Sequence, residues 1–217
     1  MRADVAVVVV GSVAGNVNTT NTSTHDLGTM DVDSGGVRIA IMGISWTKGA
    51  VRTVATLTIG GESLTEVLDA ASGGSEDIGA AIWIGDVSAV SGVQAIEATF
   101  SGGAAEASGI TGVVLVGLQS ETETMSDGDF TAASAQMTIT GLASQPGGIA
   151  FACGGGSGRA DAATWGTLTE RSDVQTGTSA ADMRHTVAWD IVARSAADET
   201  LDFAGGTTRA VVGAGFR

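Results

Sequence analysis

TLTIGGESLTEVLDAASGGSEDIGAAIWIGDV, residues Thr56 to Val87, decides the fold. Two alternating apolar runs flank Gly60-Gly61, and a polar glycine-rich excursion then leads to a third run carrying Trp83. A Gly-Gly step between alternating runs marks a hairpin, because glycine enters the positive-φ turn conformations without steric cost. The same grammar continues to the C-terminus. Val37 to Trp46, Val93 to Phe100, Gly112 to Leu118, Ser134 to Thr140, Ile149 to Cys153, Thr164 to Arg171, Arg184 to Val192 and Thr207 to Phe216 all read as short strands. No convincing amphipathic helix interrupts them. The expected fold is all-β, an antiparallel β-sandwich of jelly-roll-like kind with about ten or eleven short strands.

Composition supports an ordered fold. Gly contributes 33 of 217 residues and Pro only 1, which fits many tight turns better than a proline-bearing linker. Aromatics are 4% and Tyr is absent, so the core must rest on Val, Ile, Leu and Ala. Between Gly11 and Asp33 the chain is polar and rich in Asn and Thr, the longest stretch without a clear period. The expected organisation is therefore an N-terminal strand and arm over residues 1–36, used for anchoring or assembly, followed by a sandwich domain over 37–217. Asn16, Asn18, Asn21 and His25 are the candidate contact residues of the arm.

Charge narrows the partners. With 24 Asp plus Glu against 10 Lys plus Arg, the net charge is -14. Nucleic-acid binding needs clustered cations to displace counterions from phosphate, and no basic run exists. Val5 to Val10 is too short to span a bilayer, and its β-branched residues, preceded by Asp4, favour a first strand over a signal peptide. Neither membrane insertion nor a signal peptide is expected.

Chemical motifs are sparse. Cys153 stands alone among apolar neighbours, which points to a buried hydrophobe rather than a reactive thiol. The Gly154 to Gly158 cluster before Arg159 lacks the Lys-Ser/Thr of a phosphate loop and reads as a flexible loop. His25 and His185 are the usable bases, yet no Ser sits in a Gly-x-Ser-x-Gly elbow. Alternation places Val187, Trp189 and Ile191 on one face, with His185 opposite or at an edge. No cofactor is expected. Acidic pairs at Asp31/Asp33, Glu76/Asp77 and Asp127/Asp129 leave room only for a structural calcium, because Met42 stands where a calcium loop beginning at Asp31 would place its twelfth-position Glu. Trp83 and Trp189 read as core, whereas Trp165, beside the glycine-rich loop, is the candidate exposed stacking surface for sugar, with Arg159 and Asp161 as companions.

The series TLTIGGESLTEV, GAAIWIGDV, GVQAIEATFSG, GVVLVGLQSETE, HTVAWDIV and TTRAVVGAGF resembles a β-sandwich domain of tailed-phage virion proteins and bacterial surface proteins. The resemblance covers about Val37 to Phe216 and supplies no catalytic residues. It departs at Ile84, where that pattern often carries Tyr. It implies a non-enzymatic structural protein located in a virion, at the particle surface or tail, as capsid decoration, head spike, tail fibre or baseplate component. Its partners would be other virion proteins and copies of itself, as a homo-oligomer, with host-surface glycan as a further contact. The competing readings are a carbohydrate-binding module and, below it, a polysaccharide hydrolase on the same scaffold.

Overall fold

The alternation seen in sequence becomes seventeen strands in the computed structural model, which describes residues 7–48, 52–71, 77–131, 136–157, 162–176, 183–203 and 208–217. The first nine are β1 (Val8–Asn18), β2 (Thr24–Val32), β3 (Arg38–Lys48), β4 (Val54–Ile59), β5 (Glu62–Ser63), β6 (Thr65–Ala71), β7 (Asp77–Asp86), β8 (Gly92–Phe100) and β9 (Ala107–Val116). They form an antiparallel sheet ordered β1-β9-β3-β7-β6 and a smaller one ordered β2-β8-β4-β5. The nested pairing of β1 with β9, β2 with β8, β3 with β7 and β4 with β5 is the wrapping of a jelly roll.

The remaining strands are β10 (Met125–Thr131), β11 (Gln136–Ser144), β12 (Ile149–Ser157), β13 (Ala163–Trp165), β14 (Glu170–Gln175), β15 (Met183–Asp190), β16 (Arg194–Phe203) and β17 (Arg209–Phe216). Their sheets run β10-β17-β12-β15-β14 and β11-β16-β13. This is the order of the first half repeated, with β5 alone lacking a counterpart. The chain is an internal duplication. Leu64-Thr65-Glu66 recurs as Leu168-Thr169-Glu170, and the residue after each, Val67 or Arg171, sits where the register with the neighbouring strand slips. A β-bulge at the same place in both halves is a feature of the frame, since bulges re-aim an edge strand.

The two large sheets face each other, giving four layers in all. β1 lies against β14, β9 against β15, β3 against β12, β7 against β17 and β6 against β10, an arrangement that exchanging the halves leaves unchanged. Three apolar layers fill the stack. Ile41, Ile82, Val113, Phe151, Val187 and Val212 lie between the large sheets. Trp46, Leu57, Ile96 and Phe100 lie beneath one outer sheet, and Ile139, Trp165, Leu201 and Phe203 beneath the other. Both faces of β9 and β12 are covered, so their alternation vanishes into continuous burial. Each fully buried Val, Leu or Ile contributes about 1.5–3 kcal/mol.

Several expectations change. The all-β sandwich holds, with more strands than the ten or eleven anticipated. The supposed arm is not an arm: its residues form the end of β1, paired with β9, and β2, paired with β8. Thr24, Asp26, Thr29 and Asp31 occupy the outward positions of β2, and in β1 the half-buried Asn16 and Asn18 flank an exposed Val17, which hid the pattern. At Gly60-Gly61 both residues have positive φ, 60° and 88°, and the turn forms as expected. Its returning strand is only Glu62–Ser63, after which the chain crosses to the other sheet as β6. Gly154 to Gly156 belong to the buried strand β12 instead of a loop.

Close approach of the large sheets requires bare backbone. A Cβ on Gly43 would stand 2.8 Å from Cys153 Cβ and 3.0 Å from a Val187 methyl. Gly43→Val should therefore destabilise the fold by about 1–3 kcal/mol, the usual cost of overpacking. Thermal melting should register this as a fall of roughly 2–4 °C per kcal/mol, and an unchanged midpoint would contradict the packing.

Candidate functional site

The two histidines and the cysteine are held inside the stack. His185 points into the seam between the large sheets, on the same face as Val187 and Trp189, because residues two apart share a face. The expectation that it lay opposite them or at an edge is thereby corrected. Its Nδ1 lies 2.7 Å from Ser45 Oγ and its Nε2 3.0 Å from Thr111 Oγ1, which also accepts a hydrogen bond from Gly15 N at 2.9 Å. Burial pushes the imidazole down to about 3. His25 on β2 is buried too, its Nδ1 2.5 Å from Ser108 Oγ and its ring edge-on to Phe100. Burial lowers its affinity for protons, an effect opposed by the carbonyls of Ala105, Thr20 and Thr22. Burial likewise pushes the Cys153 thiol up, leaving it a poor nucleophile.

The candidate contact residues separate. Asn16 Nδ2 donates to Leu27 O at 2.9 Å and Asn18 Nδ2 to Asp26 O at 2.8 Å, so both side chains close the carbonyl edge of β2 within the chain. Asn21 is exposed between the strands, and His25 faces the core. Asp127 and Asp129 act similarly in the second half, accepting from Thr140 N at 2.6 Å and Thr138 N at 3.5 Å. Trp165 is 7% exposed and is not a stacking surface. Its Nε1 donates to Thr186 Oγ1 at 2.8 Å, and it occupies the place that Leu57 fills in the first half, each strand partner being equivalent. Arg159 and Asp161 lie outside the described residues. Among the described residues no group of three or more His, Cys, Asp or Glu side chains could hold a metal ion.

Sequence reasoning missed Glu199. This buried carboxylate on β16 stands where the first half has the core residue Ile96. It accepts from Thr167 N at 2.9 Å, Thr167 Oγ1 at 2.5 Å and Leu168 N at 3.2 Å, and pairs with Arg194 Nη2 at 2.7 Å. In the first half Leu64 N donates to the Leu57 carbonyl across the hairpin. The second half lacks that hairpin, and the carboxylate supplies the acceptor instead. Burial pushes the Glu199 carboxyl up, but the bonds from Thr167, Leu168 and Arg194 outweigh it and hold it below the usual range. The available signal was Glu199 sharing alternation with Leu201 and Phe203.

A concavity of about 560 Å³ lies where β1 faces the ends of β14 and β15. Val9 and Val13 form one wall, Arg171, Trp189, Asp190 and Val192 the other. The Trp189 ring stacks on Phe151, 5.6 Å between centroids and 7° from parallel, and the Arg171 guanidinium covers its other face at 5.2 Å. Arg171 also donates to Trp189 O and stands 3.9 Å from an Asp190 oxygen. Both ring faces are therefore occupied within the chain, and the groove presents valine and a matched charge pair. Its counterpart in the duplicated frame is a groove of about 250 Å³ beside β6 and β7, lined by Glu66, Val67, Ile84, Glu121 and Glu123. There burial, with the nearby Asp69 charge, pushes the Glu66 carboxyl up. The duplication thus produced two grooves of different chemistry.

Comparison with family models, curated proteins and solved structures finds no match to this chain.

The buried ionisable groups give the fold an acid limit. Folded His185 refuses a proton that the unfolded chain accepts below about 6.5, so stability falls as pH drops from there towards 3. Glu199, held low, adds stability that is present above its unfolded value near 4.5 and is lost as pH falls through the folded one. Urea midpoints should drop between about pH 7 and about pH 5 in the parent chain, and this slope should flatten in His185→Gln. A parent midpoint that is flat over that window would refute the assignment.

Proposed function

We propose that this chain is a non-enzymatic structural protein of a tailed bacteriophage or phage-like particle, working through subunit assembly at the particle surface or tail. The observation that carries the reading is the distribution of chemistry in the fold. His25, His185 and Cys153 are committed to the core, while sheet faces, free strand edges and a valine-lined groove are turned outward. A surface made of edges and faces acts by contact. The duplicated jelly roll supports the same reading, since jelly rolls recur in viral capsids and lectins. The segments Thr56 to Val67, Gly79 to Val87 and Gly92 to Gly102, which carry part of the resemblance to phage virion domains, fall on β4 to β8 of the first jelly roll. The glycan-binding reading loses its stacking residue, because Trp165 is buried. Copies of the chain and other virion proteins are the partners this reading names.

Mass spectrometry of tailed particles purified from cells carrying the gene should detect this chain as a stoichiometric component, and antibody labelling should place it on the head or tail surface. Its absence from particles that contain the other structural proteins would overturn the proposal.

A further inference from the structure

We infer that this protein is built to work in a saline medium, where dissolved cations held diffusely over the outer sheet of the first jelly roll relieve a repulsion that the chain leaves uncompensated. The sheet β2-β8-β4-β5 carries four carboxylates, Asp26, Asp31, Glu62 and Glu97, and no Lys or Arg among its strand residues. Asp26, Asp31 and Glu97 are exposed on its outward side. Asp26 and Glu97 stand directly opposite each other in the register of β2 with β8, and the neighbour of Glu97 on β4 is Thr58. Like charges placed directly opposite are destabilising, whereas opposite charges in that position stabilise a sheet. This row has two carboxylates and a hydroxyl.

The second half treats its charge differently. Asp173, Asp190 and Glu199 lie against Arg184, Arg171 and Arg194 at 2.5, 3.9 and 2.7 Å. Asp198 accepts a hydrogen bond from Gly141 N at 3.0 Å. In the first half Arg38 is buried, and its guanidinium donates to the carbonyls of Ser88 and Val90 at 2.6 and 2.8 Å rather than to a carboxylate. The crowding extends to β6, where the Asp69 charge adds to burial in pushing the Glu66 carboxyl up.

Distance sets how much salt is needed. Neighbouring strands lie about 4.8 Å apart, so the Cβ atoms of Asp26 and Glu97 are separated by about 5 Å. The Debye length is about 8 Å at 0.15 M ionic strength and about 3 Å at 1 M. Moderate salt therefore leaves this pair largely unscreened, and the repulsion fades only as salt approaches molar. Buried pairs such as Arg194 and Glu199 are screened much less, so salt removes the repulsion while keeping the bonds of the second half. With a net charge of -14 the balance favours concentrated salt.

Thermal melting of the full chain between about 0.02 M and about 1 M sodium chloride tests this. The melting temperature should climb by several degrees and go on climbing above about 0.2 M, equally in potassium chloride and without response to a chelator. Glu97→Gln and Asp26→Asn should each raise the melting temperature at low salt and flatten its climb. Asp33→Asn, which removes the same charge beyond the end of β2, should flatten it less. Circular dichroism establishes that each variant is folded. A melting temperature that is level or falls over this range overturns the inference, as does a climb of equal slope in Glu97→Gln and the parent chain. A rise completed by millimolar calcium and reversed by a chelator also overturns it, because the cation would then be held at a defined site.

Discussion

Two five-stranded sheets can face each other this closely only because backbone is left bare where they touch. A Cβ on Gly109 would stand 2.6 Å from that of His185, as one on Gly43 would crowd Cys153. The sheets come from different halves of the chain, so this seam is what makes two jelly rolls one body. Its apolar layer of Ile, Val, Ala and Phe residues supplies most of the contact, and His185 places a polar cross-link inside it. A buried imidazole bonded on both nitrogens to hydroxyls is satisfied while neutral and has no anion among those partners when charged. The seam is therefore specific in register and intolerant of acid, and both properties follow from one side chain.

Duplication separates what the frame requires from what each half has been free to change. The nested strand pairing, the Leu-Thr-Glu entry to β6 and β14 and the bulge that follows are kept in both halves. Core positions that differ between the halves differ in a compensated way. Where the first half has Leu57 the second has Trp165, whose indole nitrogen donates to the Thr186 hydroxyl, and where it has Ile96 the second has Glu199, whose carboxylate stands in for the backbone acceptor of the hairpin. Each polar intrusion arrived with its partners, as burial demands.

How much of this was legible in sequence depended on which face of a strand met water. Val37 to Trp46 and Arg184 to Val192 could be read because β-branched and aromatic residues recur along them. β2 and β16 escaped, since Asp26, Asp31, Asp198 and Thr200 interrupt runs whose inward residues are few. Gly154 to Gly156 looked like a loop because composition reports flexibility, whereas here glycine reports the closeness of neighbouring layers. The groove was not legible at all. Its walls come from β1 and β15, more than 170 positions apart, and only the facing of the two halves brings Val9 to Val192.

The two grooves show where divergence has consequences for contact. They occupy equivalent places, yet one offers Arg171 and Trp189 where the other offers Val67 and Ile84, and their flanks differ again, valine against Glu121 and Glu123. A frame under selection only for stability has no reason to make one side acidic and leave the other apolar with its charges matched. Carboxylates protect the β6 and β10 edges, whereas the residues of β1 carry no charge. An internally symmetric fold is thereby made asymmetric at its surface.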